Sequence, residues 1–343
     1  MPKGVVSVAR SMGVQERVAA VSAALGGTMG VAARNLASEA GVYIAADEPF
    51  PMASCFKIPV MVEVMRQVDA GAVRLDERLT LHEDDKSPGS TLLHCRQGLQ
   101  PSVRDLLYLM ITLSDNTATD MLWRRVGLGS VNATMRELGL ATIDCRMPNR
   151  EYFLIECGLG SEWRALSGPQ IVERWRELEA RGEDEAAFTR VLEENARLSG
   201  AGFQHRYDER WGPDESLGYD DAFAVDQALD NQGSPRDMAE LLGMIAEARC
   251  ASAPSCRLMV EILSRQEWRD KIPAGMPPGL LVANKTGGVT GTSNDAAIVY
   301  TPSGAPVVMV VFWKGLPERS RGQASAAIAS IAAELYEHLG EPA

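Results

Sequence analysis

The stretch Phe50-Pro51-Met52-Ala53-Ser54-Cys55-Phe56-Lys57 decides how this chain is read, and an apolar run, Ile58-Pro59-Val60-Met61-Val62, follows it. Ser54 and Lys57 stand three residues apart, a spacing that puts both on one face of a helix. The pattern predicts a helix over 54–70 with Ser54 at its N-terminus, where free N–H groups and the helix dipole favour developing negative charge. Two further polar triplets follow in order, Ser114-Asp115-Asn116 and Lys285-Thr286-Gly287. Ser102 with Asp105 three residues on forms a capping-box pattern and starts a helix over 103–112. Another helix is expected over 117–126, so the Ser-Asp-Asn triplet falls in a turn between helices.

Outward from these motifs, apolar periodicity predicts a helix over 14–25, then a hairpin of strands 28–35 and 41–46 joined around 36–40, the first strand half-buried. Ser234-Pro235-Arg236-Asp237 supplies an N-cap and a proline at the first helical position for a helix through 248. The chain then returns to strands at 280–285, 294–300 and 306–313, with turns at 287–293 and 301–305, and closes with a helix over 324–338. The fold class is α/β (α+β): an antiparallel sheet built from both chain termini and flanked by helices, plus an all-helical lobe. We expect one catalytic domain, with its α/β lobe at 1–53 and 275–343, its helical lobe at 54–274, and Ser54 at the seam.

With 343 residues, 45% hydrophobic and 23% charged, the composition is that of an ordinary soluble globular protein. No apolar run approaches the roughly 20 residues that cross a bilayer. Only residues 5–9 are apolar near the start, shorter than the about 7–15 residues of a secretory core. A cytoplasmic location is expected if the chain is full-length, and a periplasmic or secreted one if it is a mature form. The six cysteines make no C-x-x-C pair, and the four histidines make no H-E-x-x-H, so neither a metal nor another cofactor is expected. There is no G-x-S-x-G elbow.

The net charge of −12 is concentrated: residues 151–232 hold 19 Asp and Glu against 8 Arg and no Lys. That acidity argues against nucleic acid and anionic membranes as partners. Within an insertion at about 157–232, helices are expected over 169–181 and 184–198, with Trp163, Trp175 and Trp211 as core. The insertion could lid a pocket, or equally form a solvated helical pair or an oligomer contact. Oligomeric state is left open.

The three ordered motifs, together with Phe50-Pro51-Met52-Ala53, Leu113, residues 117–122 and Asn294-Asp295, make the chain resemble a class A β-lactamase, a member of the serine β-lactamase and penicillin-binding-protein fold. The resemblance implies that Ser54 is the nucleophile and that the base is Lys57 or a carboxylate acting through water. A lysine base requires its pKa to fall from about 10.4 toward neutrality, and a second cation such as Lys285 would supply part of that fall. It further implies that Ser114 relays a proton to the leaving nitrogen, Asp115 braces the turn, and Asn116 binds the substrate's side-chain amide. Lys285, Thr286 and Gly287 would line the strand edge and hold a substrate carboxylate, with the N–H groups of Ser54 and Gly288 as the oxyanion hole.

Three departures qualify that resemblance. The family frees its acyl-enzyme with a glutamate followed four positions later by asparagine. Glu151 stands at the right distance, but the asparagine position is Ile155, and Arg150 is one step out of register. Glu151 is the expected hydrolytic base, with a bystander surface glutamate as the bland alternative and Glu156 as an outside candidate. Second, the segment after Glu151 is longer than the family's. Third, no Arg or Lys lies between Gly287 and Pro302 to meet a substrate carboxylate, and Lys314, Arg319 and Arg321 are possible substitutes. The implied substrate is a small-molecule β-lactam or related amide. A peptidase, esterase or acyltransferase on a non-lactam substrate, and a non-catalytic binding or sensor domain, remain alternatives.

Overall fold

The computed structural model describes residues 13–38, 40–211 and 218–340. The apolar stretch at 5–9 and the side chain of Trp211 lie outside the described residues. The strands are β1 (Thr28–Asn35), β2 (Gly41–Ile44), β3 (Phe50–Pro51), β4 (Gln232–Gly233), β5 (Leu281–Val289), β6 (Thr292–Tyr300) and β7 (Pro306–Lys314). Five form an antiparallel sheet in the order β2-β1-β7-β6-β5, so strands from the two ends of the chain meet at β1 and β7. The short β3 and β4 pair separately.

The helices are α1 (Val14–Leu25), α2 (Lys57–Asp69), α3 (Val103–Thr112), α4 (Asn116–Val126), α5 (Leu128–Glu137), α6 (Asn149–Glu156), α7 (Gly168–Arg181), α8 (Asp184–Glu194), α9 (Gly200–Trp211), α10 (Tyr219–Leu229), α11 (Pro235–Ala246), α12 (Ala253–Leu263) and α13 (Ala324–Leu339). The expected N-caps are present: Ser102 Oγ accepts from the Asp105 N–H and Ser234 Oγ from the Asp237 N–H, both at 3.1 Å.

Strand alternation separates two cores. Val308, Val310 and Phe312 of β7 face the helical lobe, where they join α2, α3, α11 and α12. Val307, Met309, Val311 and Trp313 face the other way, onto α1 and α13. Both faces are therefore covered, which corrects the half-buried reading of β1: of its eight residues only Thr28 is exposed. A third cluster, Met147, Leu154, Ile155, Trp163, Ile171, Trp175, Val191, Phe203, Val225 and Leu229, gives the acidic insertion a core that includes α6.

Several expectations change. Ser54 lies in a 3-10 turn, Ala53–Phe56, ahead of α2. The broad turn expected at 287–293 shrinks to Thr290 and Gly291, because both strands run on to pair Val289 with Thr292. Residues 149–156 form a helix rather than a loop, and the second insertion helix stops at Glu194. Four further helices, α5, α9, α10 and α12, have no counterpart among the elements expected above. The start of α12 carries a legible signal, Ser252 as N-cap with Pro254 in the first turn.

Candidate active site

Ser54 stands at the seam because the chain before it is clamped. Asn294 Nδ2 donates to the Pro51 carbonyl at 2.7 Å, and the Met52 N–H donates to the Asn231 carbonyl at 2.7 Å. Ala53 is forced to φ +44°, a left-handed conformation that costs a non-glycine residue on the order of 1 kcal/mol. Its N–H donates at 2.6 Å to Oδ2 of Asp230, just past the end of α10. Asp230 is buried, and burial pushes its pKa up to about 7. On the other side of the turn, a Cβ on Gly287 would lie 3.2 Å from the Cys55 nitrogen and 2.7 Å from the Met52 oxygen. Glycine there lets β5 approach the nucleophile's backbone.

Lys57 begins α2 and is wholly buried. Its Nζ lies 2.6 Å from the Ser114 carbonyl, 2.6 Å from Asn116 Oδ1 and 3.1 Å from Ser114 Oγ. Burial first, and the nearby Lys285 charge second, hold its pKa well below the usual lysine range. Lys285, also buried, donates to Ser114 Oγ at 3.1 Å and to the Thr286 carbonyl at 2.7 Å. Burial lowers its pKa to about 8. Ser114, at φ +60°, thus presents its hydroxyl between two amines. Asp115 fixes that turn by capping α4 through the Ala118 N–H at 2.8 Å and accepting the Leu92 N–H at 3.0 Å. Asn116 is committed to Lys57 and, through Nδ2, to the Pro88 carbonyl at 2.7 Å.

Of this group Ser114 lines a cavity of about 710 Å³ whose wall also includes Ser54, Thr286, Gly287, Gly288 and Trp268. Lys271 is a lining residue that the sequence reading missed. Its Nζ donates to the Gly287 and Asn294 carbonyls, both at 3.1 Å, which brings a cation behind the strand edge. Of the cations considered for a substrate carboxylate, Arg321 lines the cavity. Lys314 instead bonds the Pro49 carbonyl at 2.8 Å and pairs with Glu48.

The structure separates Glu151 from this group. Both its carboxylate oxygens accept from Arg124 Nη2, at 3.1 and 3.0 Å, and among the described residues no hydrogen bond joins it to Ser54, Lys57, Ser114 or Asn116. Helix phase explains the correction: α6 turns residue 151 toward α4, while Tyr152, Phe153 and Glu156 face the cavity. Ile155, at the expected asparagine position, is core to the insertion. Asp120 fixes the phase by accepting the N–H groups of Asn149 and Arg150 at 2.9 and 2.8 Å. Burial pushes its pKa up to about 6. The Asn149 side chain donates to the same carboxylate at 2.8 Å and reaches the Asn116 carbonyl at 3.5 Å.

Among the described residues no cluster of three His, Cys, Asp or Glu could hold a metal ion, and no helix is long and apolar enough to cross a membrane.

Comparison with known proteins gives a consistent answer. The profile of the family described as "Beta-lactamase enzyme family" matches residues 13–339. The chain is 25% identical to a β-lactamase of Streptomyces albus G over 335 residues, covering 95% of this chain and 84% of that one. It is 24% identical to the carbapenem-hydrolysing β-lactamase KPC of Klebsiella oxytoca over 331 residues, covering 95% and 89%. The crystal structure of a β-lactamase from Sphaerobacter thermophilus superposes with a TM-score of 0.67 at 27% identity, covering 95% and 96%. With the ordered serine, lysine and turn motifs meeting at one site, the chain belongs to the β-lactamase enzyme family.

Proposed function

We propose that the protein is a serine hydrolase that opens β-lactams, or closely related amides, through an acyl-enzyme at Ser54. The observation that carries this reading is the burial of Lys57 and the pair of acceptors that hold it. A neutral lysine has two N–H bonds to give, and the Ser114 carbonyl and Asn116 Oδ1 take both at 2.6 Å. The lone pair is left to accept a proton, as a general base requires. Ser54, one helical turn ahead of Lys57, loses its proton to that amine as it attacks the amide carbon. Ser114, held at 3.1 Å from both Lys57 and Lys285, then delivers a proton to the leaving nitrogen and takes its replacement from Lys57. Lys285 keeps a positive charge at the strand edge for a substrate carboxylate. Backbone N–H groups at Ser54 and Gly288 supply the oxyanion site, each such donor being worth about 3–4 kcal/mol in comparable sites.

The hydrolytic half has a second reading. Glu151 is bound by Arg124 rather than turned to the cavity, which favours an acyl-enzyme that forms readily and hydrolyses slowly, as in a penicillin-binding protein. Time-resolved intact-mass spectrometry with a penicillin, with and without a competing boronate, separates the two. Catalytic turnover of nitrocefin, abolished in Ser54→Ala, supports a β-lactamase. A stoichiometric adduct that persists for minutes supports slow release. Absence of both turnover and adduct overturns the proposal.

A further inference from the structure

The insertion does more than lengthen the chain: it builds the far wall of the cavity. Helix α10 lies across the β5–β6 turn, where Gln227 Nε2 donates to the Thr290 carbonyl at 3.1 Å and to Thr292 Oγ1 at 2.8 Å. Tyr219 donates to the Leu316 carbonyl at 2.7 Å. One turn before Asp230, Asp226 Oδ2 accepts the Thr290 N–H at 2.6 Å, and its Oδ1 accepts the Tyr152 hydroxyl of α6. Beside Asp226 stands Glu156, a cavity-wall residue only 4% exposed. Its Oε2 is buried and accepts from no N–H or hydroxyl group among the described residues, its contact being the Asp226 carboxyl. Two buried carboxyls facing each other on a cavity wall leave acceptor capacity that a ligand donor would fill.

The surroundings say what kind of donor. Tyr152, Phe153, Tyr207 and Tyr219 line the same end of the cavity. The Phe153 ring lies edge-on to Tyr152 and to Tyr207, each at 5.3 Å between centroids. Carboxyl groups framed by aromatic rings favour a cation, through charge-assisted hydrogen bonds and the negative ring faces. Arg210 also lines this end, and it donates to the Leu166 carbonyl at 3.2 Å and lies 3.8 Å from Asp221. Burial first and the Asp226 charge second hold the pKa of Glu156 well above the ordinary range, against the opposing charge of Arg210, and burial raises that of Asp226 to about 6. The pair therefore keeps a proton that an arriving cation can displace.

Position fixes which part of the substrate reaches it. A substrate carboxylate at Lys285 and Thr286 puts the leaving-group side toward the start of the motif. Thr290 lies beyond Gly287, on the acyl side, in the turn that follows the end of β5 and thus on the order of 10 Å from the nucleophile's turn. We propose that Glu156 and Asp226, with the rings of Tyr152, Tyr207 and Tyr219, form an acyl-side subsite for a primary ammonium group, so that preferred substrates carry an amine about six to eight chain bonds from the reacting carbonyl. This inference rests on acylation of Ser54 by a β-lactam, and its test separates the two.

The test uses twin penicillins, one bearing a 5-aminopentanoyl side chain and one its N-acetylated form, with the second-order rate of Ser54 acylation read by mass spectrometry. The amine should react about ten- to a hundredfold faster, and the preference should vanish in Glu156→Gln and shrink in Asp226→Asn while the neutral twin's rate holds. Equal rates in the wild-type protein, or a preference that survives Glu156→Gln, overturn the subsite and leave the acylation reading intact. Failure of both twins to label Ser54 overturns that reading and the subsite with it. Should Glu156→Gln also lose the neutral reaction, protection of the wild-type protein decides. Saturable slowing of the neutral twin by pentylamine but not by pentanol supports the subsite, and equal or absent slowing overturns it.

Discussion

At the residue scale the site depends on charges that burial has shifted. Lys57 must be neutral to act as a base and Lys285 charged to hold a carboxylate, so the acylation rate should fall on both sides of a maximum. The alkaline limb should lie near pH 8, where Lys285 loses its proton. Lys285→Ala removes a like charge that lowers the Lys57 pKa. That pKa must then rise, and the acid limb of the pH–rate profile should move to higher pH. An unmoved acid limb would rule out this coupling. Glu151 gives the opposite kind of prediction. Its bond to Arg124, a side chain 28% exposed, is structural, so Glu151→Gln should cost about 1–3 kcal/mol of stability in denaturant titration. The hydrolysis rate of a preformed acyl-enzyme should stay within about twofold of wild type, a comparison that single-turnover mass spectrometry makes directly.

At the scale of elements, the nucleophile's turn is held less by its own sequence than by the helix that ends beside it. The Asp230 carboxylate anchors the strained Ala53 N–H at 2.6 Å. Asp230→Ala should therefore slow acylation at least about tenfold, because a shift of 1 Å at a reacting group costs rates of that order or more. The contact between α10 and the β5–β6 turn has a similar test. Gly291 sits at φ +71°, and a Cβ there would lie 2.4 Å from the Phe223 ring. Gly291→Ala should push α10 off the turn and destabilise the protein by about 1–3 kcal/mol. Amide exchange should speed up in α10 and stay slow in β1 and β7, which are central to the sheet. Uniform acceleration across the sheet would show that α10 is not a separately held wall.

At the scale of the whole molecule, the buried acids give stability an unusual dependence on pH. Asp120, Asp226 and Asp230 have pKa values raised by burial to about 6, 6 and 7. The folded chain keeps protons that the unfolded chain releases near pH 4, so this contribution is complete below about pH 4 and is lost as pH rises through 6 and 7. Glu77 and Asp105, whose pKa values are lowered chiefly by hydrogen bonds from Arg125 and Ser102, act in reverse and lose their contribution in acid. The melting temperature should peak near about pH 5 and decline toward pH 7, above which the lowered pKa values of Lys57 and Lys285 act in the opposite sense, as scanning calorimetry would record. A flat or rising profile over that range would mean that the buried carboxyls are not protonated in the folded state.

The sequence by itself determined the sheet order's raw material, most helix starts and the acylating group, because these rest on local physics. Ser102 and Ser234 declare their helices through bonds to residues three positions on, and Ser54 and Lys57 are neighbours by helical spacing alone. What only the tertiary structure decided concerns direction and long reach. The phase of α6, set by Asp120, turns Glu151 to Arg124 and Glu156 to the cavity, and a one-residue change of phase reads identically in a string of letters. Gly287 and Gly288 look like a turn in sequence yet pair in β5, because partners on β6 and the close pass of the nucleophile's turn use them as strand. Asp230 reaches Ala53 across 177 residues, a contact that no local spacing encodes and that exists only because the insertion's core packs α10 against the site.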